Sequence, residues 1–298
     1  MPFGLPIRCM PKRLLIYQAL WAMDRLHDPD CAMGDKFDQV AAAGFDGMAI
    51  DLGALSVNEA EEAVAHFART GLKAGLTAFP NSIEALRAAC RLAQRICAPF
   101  LVVIGQHMPL ELKEMIAIIE SWLRVAQEEG MPIQFETHRN CITNDLYTTV
   151  QLLEAIPQMR MAADLSHYVV DREMPCPPTP ALQELVSCVL DRSDSFQGRI
   201  AARGQIQLPL HFPQSQKWVQ LFKQWWREGF ASWSARHGNA ADQLVFTCEL
   251  GPPDYALTDA EGREMSNRWT ESLQIAAWAR ELWQEQPTHF DAAISHSA

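Results

Sequence analysis

Short apolar runs alternate with longer amphipathic stretches along almost the whole chain. The short runs are rich in β-forming residues and mostly lack polar alternation, which is typical of strands that are buried on both faces. Eight such runs can be counted, and each is followed by a stretch with helical character. The predicted strands span residues 14–23, 47–53, 73–79, 100–106, 132–138, 160–167, 198–205 and 244–251.

The stretches between these runs have recognisable helix ends. Ser82 precedes an apolar-periodic stretch, and the Thr-Asn-Asp sequence at 143–145 offers a second N-terminus. Gly71 and Gly130 stand at positions where helices commonly end. The predicted helices span residues 34–44, 56–71, 82–98, 109–129, 143–156, 179–192, 215–236 and 264–286.

Strict alternation of strands and helices predicts parallel strands joined by right-handed crossovers. Eight such units can close into a (β/α)8 barrel, the TIM barrel of the α/β class. An open doubly wound sheet is the competing arrangement, but no GxGxxG loop follows an early strand and the sequence has no Walker A loop. We therefore predict a single-domain barrel over residues 1–298, with its core at about 13–286 and a loosely ordered tail at 287–298.

Charge and composition exclude several classes of protein. A net charge of −11 would repel a polyanion and no basic patch compensates it, so we expect no nucleic-acid partner. The eight cysteines include no CxxC pair, which disfavours a thiolate metal site. Because Pro and Arg interrupt the first apolar stretch and no run reaches the roughly 18 residues of a membrane span, we expect a cytoplasmic protein without a membrane partner.

Acidic residues stand at the ends of three late strands. The strand period of two places Gln134, Glu136 and His138 on one face of the fifth strand, while Asp164 ends the sixth strand and Glu249 the eighth. Active sites of this fold form at the C-terminal ends of the strands. Taken alone, Glu136 is equally well explained as a solvated loop acid, but three strands that each end in an acid favour one common site.

Three carboxylates from separate strands suit one divalent cation, Mn²⁺ or Mg²⁺, with Zn²⁺ an option if an imidazole joins them. His167 follows Asp164 closely and is a candidate for contacting a substrate hydroxyl, with a structural histidine as the alternative. His107, Arg139 and Arg203 are candidates for binding substrate oxygens or a phosphate. For His107 a surface role is the alternative.

Tryptophans cluster in the seventh predicted helix at helical spacing. This spacing favours packing in the core, or at a subunit interface such as that of a homodimer, over stacking on bases. These residues are Trp218, Trp225, Trp226 and Trp233.

Three motifs resemble those of a known family. FETHR at 135–139, DLSHY at 164–168 and ELGPPDY at 249–255 resemble the xylose isomerase-like barrels of the sugar phosphate isomerases and epimerases, a superfamily that includes the family 2 AP endonucleases. The resemblance covers most of the chain and is strongest in residues 131–255.

The resemblance implies one divalent metal ion at the ends of the fifth to eighth strands. Glu136, Asp164 and Glu249 match three of the four ligands. It also implies that the two glutamates shuttle a proton beside a sugar carbonyl, and that His167 contacts the substrate near the aspartate. The predicted substrate-binding residues are His138, His167, Arg203 and, with the surface role as its alternative, His107.

The seventh predicted strand departs from the family pattern, in which a histidine precedes an arginine by two residues. Here the strand reads IAARGQIQ, with Ala201 two residues before Arg203. Gln205 or Gln207 would then supply a neutral amide oxygen as the fourth ligand, a weaker ligand than imidazole.

These residues and the resemblance together predict a metal-dependent isomerase or epimerase that acts on a sugar, a sugar phosphate or a polyol. A dehydratase or lyase that acts on a keto-polyol such as an inosose is an alternative, because the same intermediate can expel hydroxide. A non-catalytic barrel that binds a sugar or a protein partner is the alternative from another class, and Ala201 favours it. The acidic charge and the few suitably placed histidines disfavour the DNA-cutting relatives, which use a histidine-rich zinc cluster.

Overall fold

Eight parallel strands form a closed barrel, in which each strand pairs with the next along the chain and the last pairs with the first. The computed structural model describes residues 12–26, 31–238 and 242–286. This arrangement confirms the predicted (β/α)8 barrel. The strands are β1 (Arg13–Ala19), β2 (Gly47–Asp51), β3 (Lys73–Ala78), β4 (Leu101–Val103), β5 (Ile133–Glu136), β6 (Met161–Ala163), β7 (Ser193–Gly198) and β8 (Gln243–Cys248).

Helices surround the barrel and connect its strands. In the described part of the chain, β6 is followed by two α-helices and each other strand by one. The predicted tail at 287–298 lies outside the described residues. The helices are α1 (Met33–Ala42), α2 (Val57–Thr70), α3 (Ile83–Arg95), α4 (Leu112–Glu129), α5 (Leu146–Ala155), α6 (Leu165–Asp171), α7 (Pro180–Leu190), α8 (Gln216–Arg236) and α9 (Arg268–Gln284).

None of the helices in these three described ranges combines the length and the apolar character that crossing a bilayer requires.

Four predicted helix ends are confirmed by their capping geometry. The Ser82 hydroxyl accepts a hydrogen bond from the backbone N–H three residues later at the start of α3, and the Asp145 carboxylate does the same at the start of α5. Gly71 and Gly130 follow α2 and α4 with φ of 73° and 68°, a left-handed conformation that glycine adopts without steric cost. Local chemistry therefore determines where these helices begin and end.

Three predicted strands are corrected by the structure. Residues 21–23 form a 3₁₀ turn rather than the end of β1, and the residues after Asp164 begin α6 rather than extend β6. The seventh strand, predicted at 198–205, is wrong because β7 spans Ser193–Gly198. Its sequence SDSFQG is polar because the strand lines the barrel interior, where the Ser195 hydroxyl donates to the side-chain oxygen of Gln134.

The tryptophans of α8 pack between the barrel and its helices. Trp225, Trp226 and Trp233 are each no more than 2% exposed, and Trp218 is buried as well. The Trp226 ring meets Phe246 of β8 edge to face, with ring centres 5.1 Å apart, a geometry that aromatic pairs prefer. These residues therefore form part of the core.

Gly229 allows α8 to pack closely against β7. A Cβ at this position would stand 2.4 Å from a ring carbon of Phe196 and 3.3 Å from Leu190. Alanine is the better helix former by about 1 kcal/mol. We nevertheless expect Gly229→Ala to lower the free energy of unfolding by about 1–3 kcal/mol, because the overpacking outweighs the gain in helix propensity.

Urea unfolding of Gly229→Ala beside Gly204→Ala measures this effect. Nothing lies within 4 Å of a Cβ added at Gly204, so this variant is expected to keep the parent stability. A Gly229→Ala variant as stable as the parent would contradict the close packing of α8 against β7.

Candidate metal centre at the barrel mouth

Three predicted acids meet at the mouth of the barrel. Glu136 ends β5, Asp164 follows β6 and Glu249 follows β8, and parallel strands bring all three to the C-terminal side. Each offers a carboxylate oxygen within 4.8 Å of the oxygens of the other two. Their exposed fractions are 1%, 0% and 9%. The alternative of a solvated loop acid at Glu136 is therefore excluded.

Local hydrogen bonds hold the strand ends that carry two of these acids. Asp164 is the N-cap of α6, and its Oδ1 accepts from the backbone N–H and the hydroxyl of Ser166. The Thr137 hydroxyl donates to the Asp164 carbonyl at 2.7 Å, and the Thr143 hydroxyl donates to the Glu136 carbonyl. The second carboxylate oxygen of Asp164, Oδ2, is left for partners in the cluster.

A buried arginine that the sequence analysis did not single out lies among the acids. Arg199, which follows β7, is 2% exposed. Its Nη1 lies 2.8 Å from Asp164 Oδ2 and its Nη2 lies 3.4 Å from Glu249 Oε1. Its Nε donates to the Glu249 carbonyl at 2.9 Å. The rings of Trp21 and Tyr255 have their centres 5.8 Å and 4.7 Å from the guanidinium carbon, so the cation is enclosed on several sides.

Gln197 of β7 adds an amide to the cluster. Its Nε2 donates to Glu136 Oε2 at 2.7 Å, whereas its Oε1 is buried and has no hydrogen-bond partner in the described structure. Glu249 Oε2 is likewise buried without a partner. An unsatisfied buried acceptor costs about 1–3 kcal/mol, and a cation is one partner that such an oxygen can accept. Carboxylate and amide oxygens are the ligands that Mg²⁺ and Mn²⁺ prefer, so the residues fit a divalent ion.

A small cavity adjoins Glu249. This cavity of about 30 Å³ is lined by Trp21, Asp51, Gln197 and Glu249 among other residues, and it extends into the barrel interior. This volume holds an ion or about one or two water molecules, not a sugar.

Burial controls the protonation of the acids. It raises the pKa of Glu136 well above the ordinary range, and the charges of Glu249 and Asp164 add to this shift. Burial also raises the pKa of Glu249 to about 8, although Arg199 opposes the change. Asp51 at the end of β2 has its pKa raised by burial to about 6. Side chains with a pKa near neutrality suit general acid–base catalysis.

Two histidines stand beside the acids as uncharged side chains. The ring centres of His138 and His167 are 4.1 Å apart, and each ring offers a nitrogen within 4.8 Å of a Glu136 oxygen. Burial lowers the pKa of both imidazoles, and the positive charges nearby lower it further for His167.

The two imidazoles differ in how many of their nitrogens are engaged. His167 Nδ1 accepts from Arg139 Nε at 3.1 Å, which places its proton on Nε2, 3.4 Å from Asp164 Oδ2. His138 Nδ1 bonds to the Arg139 carbonyl at 2.5 Å, which leaves Nε2 available to a ligand.

The other predicted site residues make no hydrogen bond or ion pair with the acids within the described structure. Arg203 is exposed and pairs with Glu173 at 3.3 Å. His107 is exposed between β4 and α4, and Gln205 is exposed in a tight turn. Ala201 packs in the apolar core. Because β7 ends before these residues, Gln197 rather than residue 201, 205 or 207 faces the acids.

Gln207 stabilises the loop after β8 instead of facing the acids. Its Nε2 donates to the Gly251 carbonyl at 3.0 Å, and its Oε1 accepts from the Gly251 N–H at 2.7 Å. We expect Gln207→Ala to lower the free energy of unfolding by about 1–3 kcal/mol, because two buried backbone groups lose their partners. The exposed Gln205→Ala variant is the matched control and should stay within about 0.5 kcal/mol of the parent. Equal urea midpoints for both variants would contradict this role.

Solved structures with the same architecture include two sugar epimerases. The D-allulose 3-epimerase of Methylomonas sp., in complex with D-allulose, aligns with a TM-score of 0.55 and 14% identity over 94% of this chain and 99% of its own. The D-psicose 3-epimerase of Clostridium cellulolyticum H10, with D-tagatose, aligns with a TM-score of 0.54 and 11% identity over 91% and 99%.

A third structure carries a metal ion. It is a xylose isomerase-like TIM barrel protein from Mycobacterium smegmatis in complex with magnesium, with a TM-score of 0.57 and 15% identity over 90% of this chain and 97% of its own. At these identities the three likenesses concern the fold alone.

Sequence comparison identifies the family. No curated protein matches the chain. The family described as Xylose isomerase-like TIM barrel matches residues 37–203, which is more than half of the chain and includes the strands that carry Glu136, Asp164 and Gln197. The chain therefore belongs to the xylose isomerase-like TIM barrel family.

Proposed function

We propose that this protein is a divalent-metal-dependent isomerase or epimerase that acts on a sugar or polyol by proton transfer beside a carbonyl. The observation that carries this proposal is the cluster of Glu136, Asp164 and Glu249, with unpartnered buried oxygens beside it. Buried charges are costly unless they are paired, and a purely structural barrel does not need three acids at its mouth. The sugar epimerases that share the fold support the same chemistry by analogy.

Glu136, Asp164 and Glu249 would hold the metal ion, with Gln197 Oε1 as a fourth oxygen donor. An all-oxygen set favours Mg²⁺ or Mn²⁺, whereas Zn²⁺ would require the imidazole of His138 to join. When bound, the ion would polarise carbonyl and hydroxyl oxygens of the substrate and make the adjacent C–H bond more acidic.

The two glutamates would exchange a proton with the substrate. Either Glu136 or Glu249 removes the proton from the carbon beside the carbonyl, and the same residue or the other returns it. A pKa raised by burial suits a group that accepts and releases a proton near neutral pH. His138 would contact a substrate hydroxyl through Nε2, with His167 supporting it. Contacts from Arg203 and His107 stay predictions.

Metal content tests the proposal. Protein purified without a metal-affinity tag is expected to contain, or to take up from Mn²⁺ solution, about one equivalent of metal per chain by inductively coupled plasma mass spectrometry. The Glu136→Ala/Glu249→Ala double variant is expected to lose it. Protein that neither contains nor takes up metal would contradict the proposal and favour a barrel that binds without turnover.

A substrate screen separates the reactions open to such a site. D-allulose, D-tagatose and inososes are incubated with the metal-loaded protein in D₂O, and the products are followed by NMR. Epimers or aldoses identify an epimerase or isomerase, whereas loss of water from an inosose identifies a dehydratase. Turnover that persists after chelation would contradict metal dependence.

A further inference from the structure

Arg199 places a positive charge inside the carboxylate cluster. It is paired with Asp164 and Glu249, and Glu136 belongs to the same cluster. When all four side chains are ionised, two net negative charges remain, which is the charge that one divalent cation cancels. Since these four side chains are almost completely buried, salt screens their charges only weakly.

We propose that Arg199 is a built-in counter-cation of the metal centre, which keeps the acids paired in the metal-free protein and weakens the binding of the metal ion. This inference rests on the proposed function because it concerns the same site. It assigns to Arg199 a positioning role, not a direct part in the reaction.

The pattern of free and engaged oxygens supports this role. Arg199 engages Asp164 Oδ2 and Glu249 Oε1, whereas Glu249 Oε2 and Gln197 Oε1 have no partner in the described residues. The oxygens without a hydrogen-bond partner are therefore different from the oxygens that pair with the guanidinium. An ion held by the oxygens without a partner would lie close to the guanidinium, and two positive charges a few ångströms apart in a buried site repel each other.

The contacts of Arg199 show that it is anchored where it lies. Its Nε donates to the backbone carbonyl of Glu249, its Nη1 pairs with Asp164, and the rings of Trp21 and Tyr255 flank its guanidinium. Leaving the cluster would break all of these contacts together. The ion would therefore bind next to Arg199 and would not displace it.

Arg199→Met and Arg203→Met form a matched pair for the test. Both variants remove one arginine from the segment after β7, but Arg203 is exposed and, among the described residues, pairs with the exposed acid Glu173 at the surface. The proteins are stripped with EDTA. Isothermal titration with MnCl₂ then gives the dissociation constant. Urea unfolding in EDTA gives the midpoint of the metal-free protein, and urea unfolding in MnCl₂ gives the gain in stability from the metal.

Arg199→Met is expected to bind Mn²⁺ at least about tenfold more tightly than the wild type. It is also expected to unfold at a lower urea concentration in EDTA and to gain more from Mn²⁺. Arg203→Met is expected to match the wild type in all three measurements. If Arg199→Met is unfolded in EDTA, refolding in Mn²⁺ supports the inference, and failure to refold overturns it.

The outcomes separate this inference from the proposed function. Wild-type binding of Mn²⁺ with equal or weaker binding by Arg199→Met overturns the counter-cation role alone. Binding by Arg199→Met but not by the wild type supports that role and contradicts the metal-dependent function of the natural protein. Binding by neither protein contradicts both.

Discussion

Replacing Glu136 or Glu249 by glutamine is expected to lower turnover by about 10²–10⁴-fold. Glutamine keeps the size of each side chain but cannot accept a proton from carbon. Each substitution also removes one negative charge from the ligand set, so weaker metal binding would add to the loss. Because both substitutions reduce repulsion within a buried acidic cluster, the variants are expected to remain folded.

Steady-state kinetics at saturating Mn²⁺ measures the effect of these substitutions, with circular dichroism to check the fold. Glu173→Gln is the matched control, because Glu173 is an exposed acid that pairs with Arg203 at the surface. Unchanged turnover in both Glu136→Gln and Glu249→Gln would mean that neither glutamate takes part in the proton transfer. A loss in only one of them would indicate that a single glutamate removes and returns the proton.

The acids of the cluster could be predicted from the sequence because strand ends are local features. Glu136 is the last residue of β5, and Asp164 and Glu249 directly follow β6 and β8. A parallel barrel necessarily brings such positions to one end. The barrel itself was predictable for a related reason, since its strands are mostly apolar and several helices carry their own caps.

The seventh strand was not predictable by the same rule. Buried parallel strands are expected to be apolar, but β7 lines the polar interior of the barrel and reads SDSFQG. The apolar segment after it resembles a strand more closely, so the sequence predicts the strand there, with Gln205 or Gln207 as the fourth ligand. In the structure it is Gln197 that contacts Glu136. Once β7 is placed at 193–198, the period of two puts Gln197 and Arg199 on one face.

Three residues beside the acids, Trp21, Tyr255 and Asp51, could not be predicted from the local sequence. The Trp21 indole N–H donates to Glu249 Oε1 at 3.2 Å, although the two residues are 228 positions apart in the sequence. Tyr255, which belongs to the loop after β8, lies beside Arg199, and Asp51 is the last residue of β2. Such contacts arise only when the barrel closes, so periodicity and spacing cannot reveal them.

The metal-free protein is expected to lose stability as the pH rises from about 7.5 to about 8.5. Burial raises the pKa of Glu249 from an ordinary value of 4.5 to about 8, so the folded chain keeps a proton that the unfolded chain has released. The stabilising contribution of such a group is complete below the unfolded pKa and disappears as the pH rises through the folded pKa. The expected slope is about 1 kcal/mol per pH unit.

Urea unfolding in EDTA at these two pH values measures how the free energy of unfolding changes with pH. The Glu249→Gln variant has no carboxyl proton to retain at this position, so its free energy of unfolding should change less with pH. The window lies above the ordinary histidine pKa, and burial lowers the pKa of His138 and His167, so neither imidazole changes charge on unfolding. An equal slope in both proteins would mean that Glu249 is already ionised in the folded, metal-free state.

Saturating Mn²⁺ is expected to cancel the loss of stability at the higher pH. Arg199 offers a single positive charge to three acids, so the metal-free cluster needs bound protons to limit its repulsion. A divalent ion would replace those protons as the counter-charge. Burial is the main cause of the raised pKa of Glu249. The negative charges that Arg199 leaves uncompensated would add to this shift and would also attract the ion.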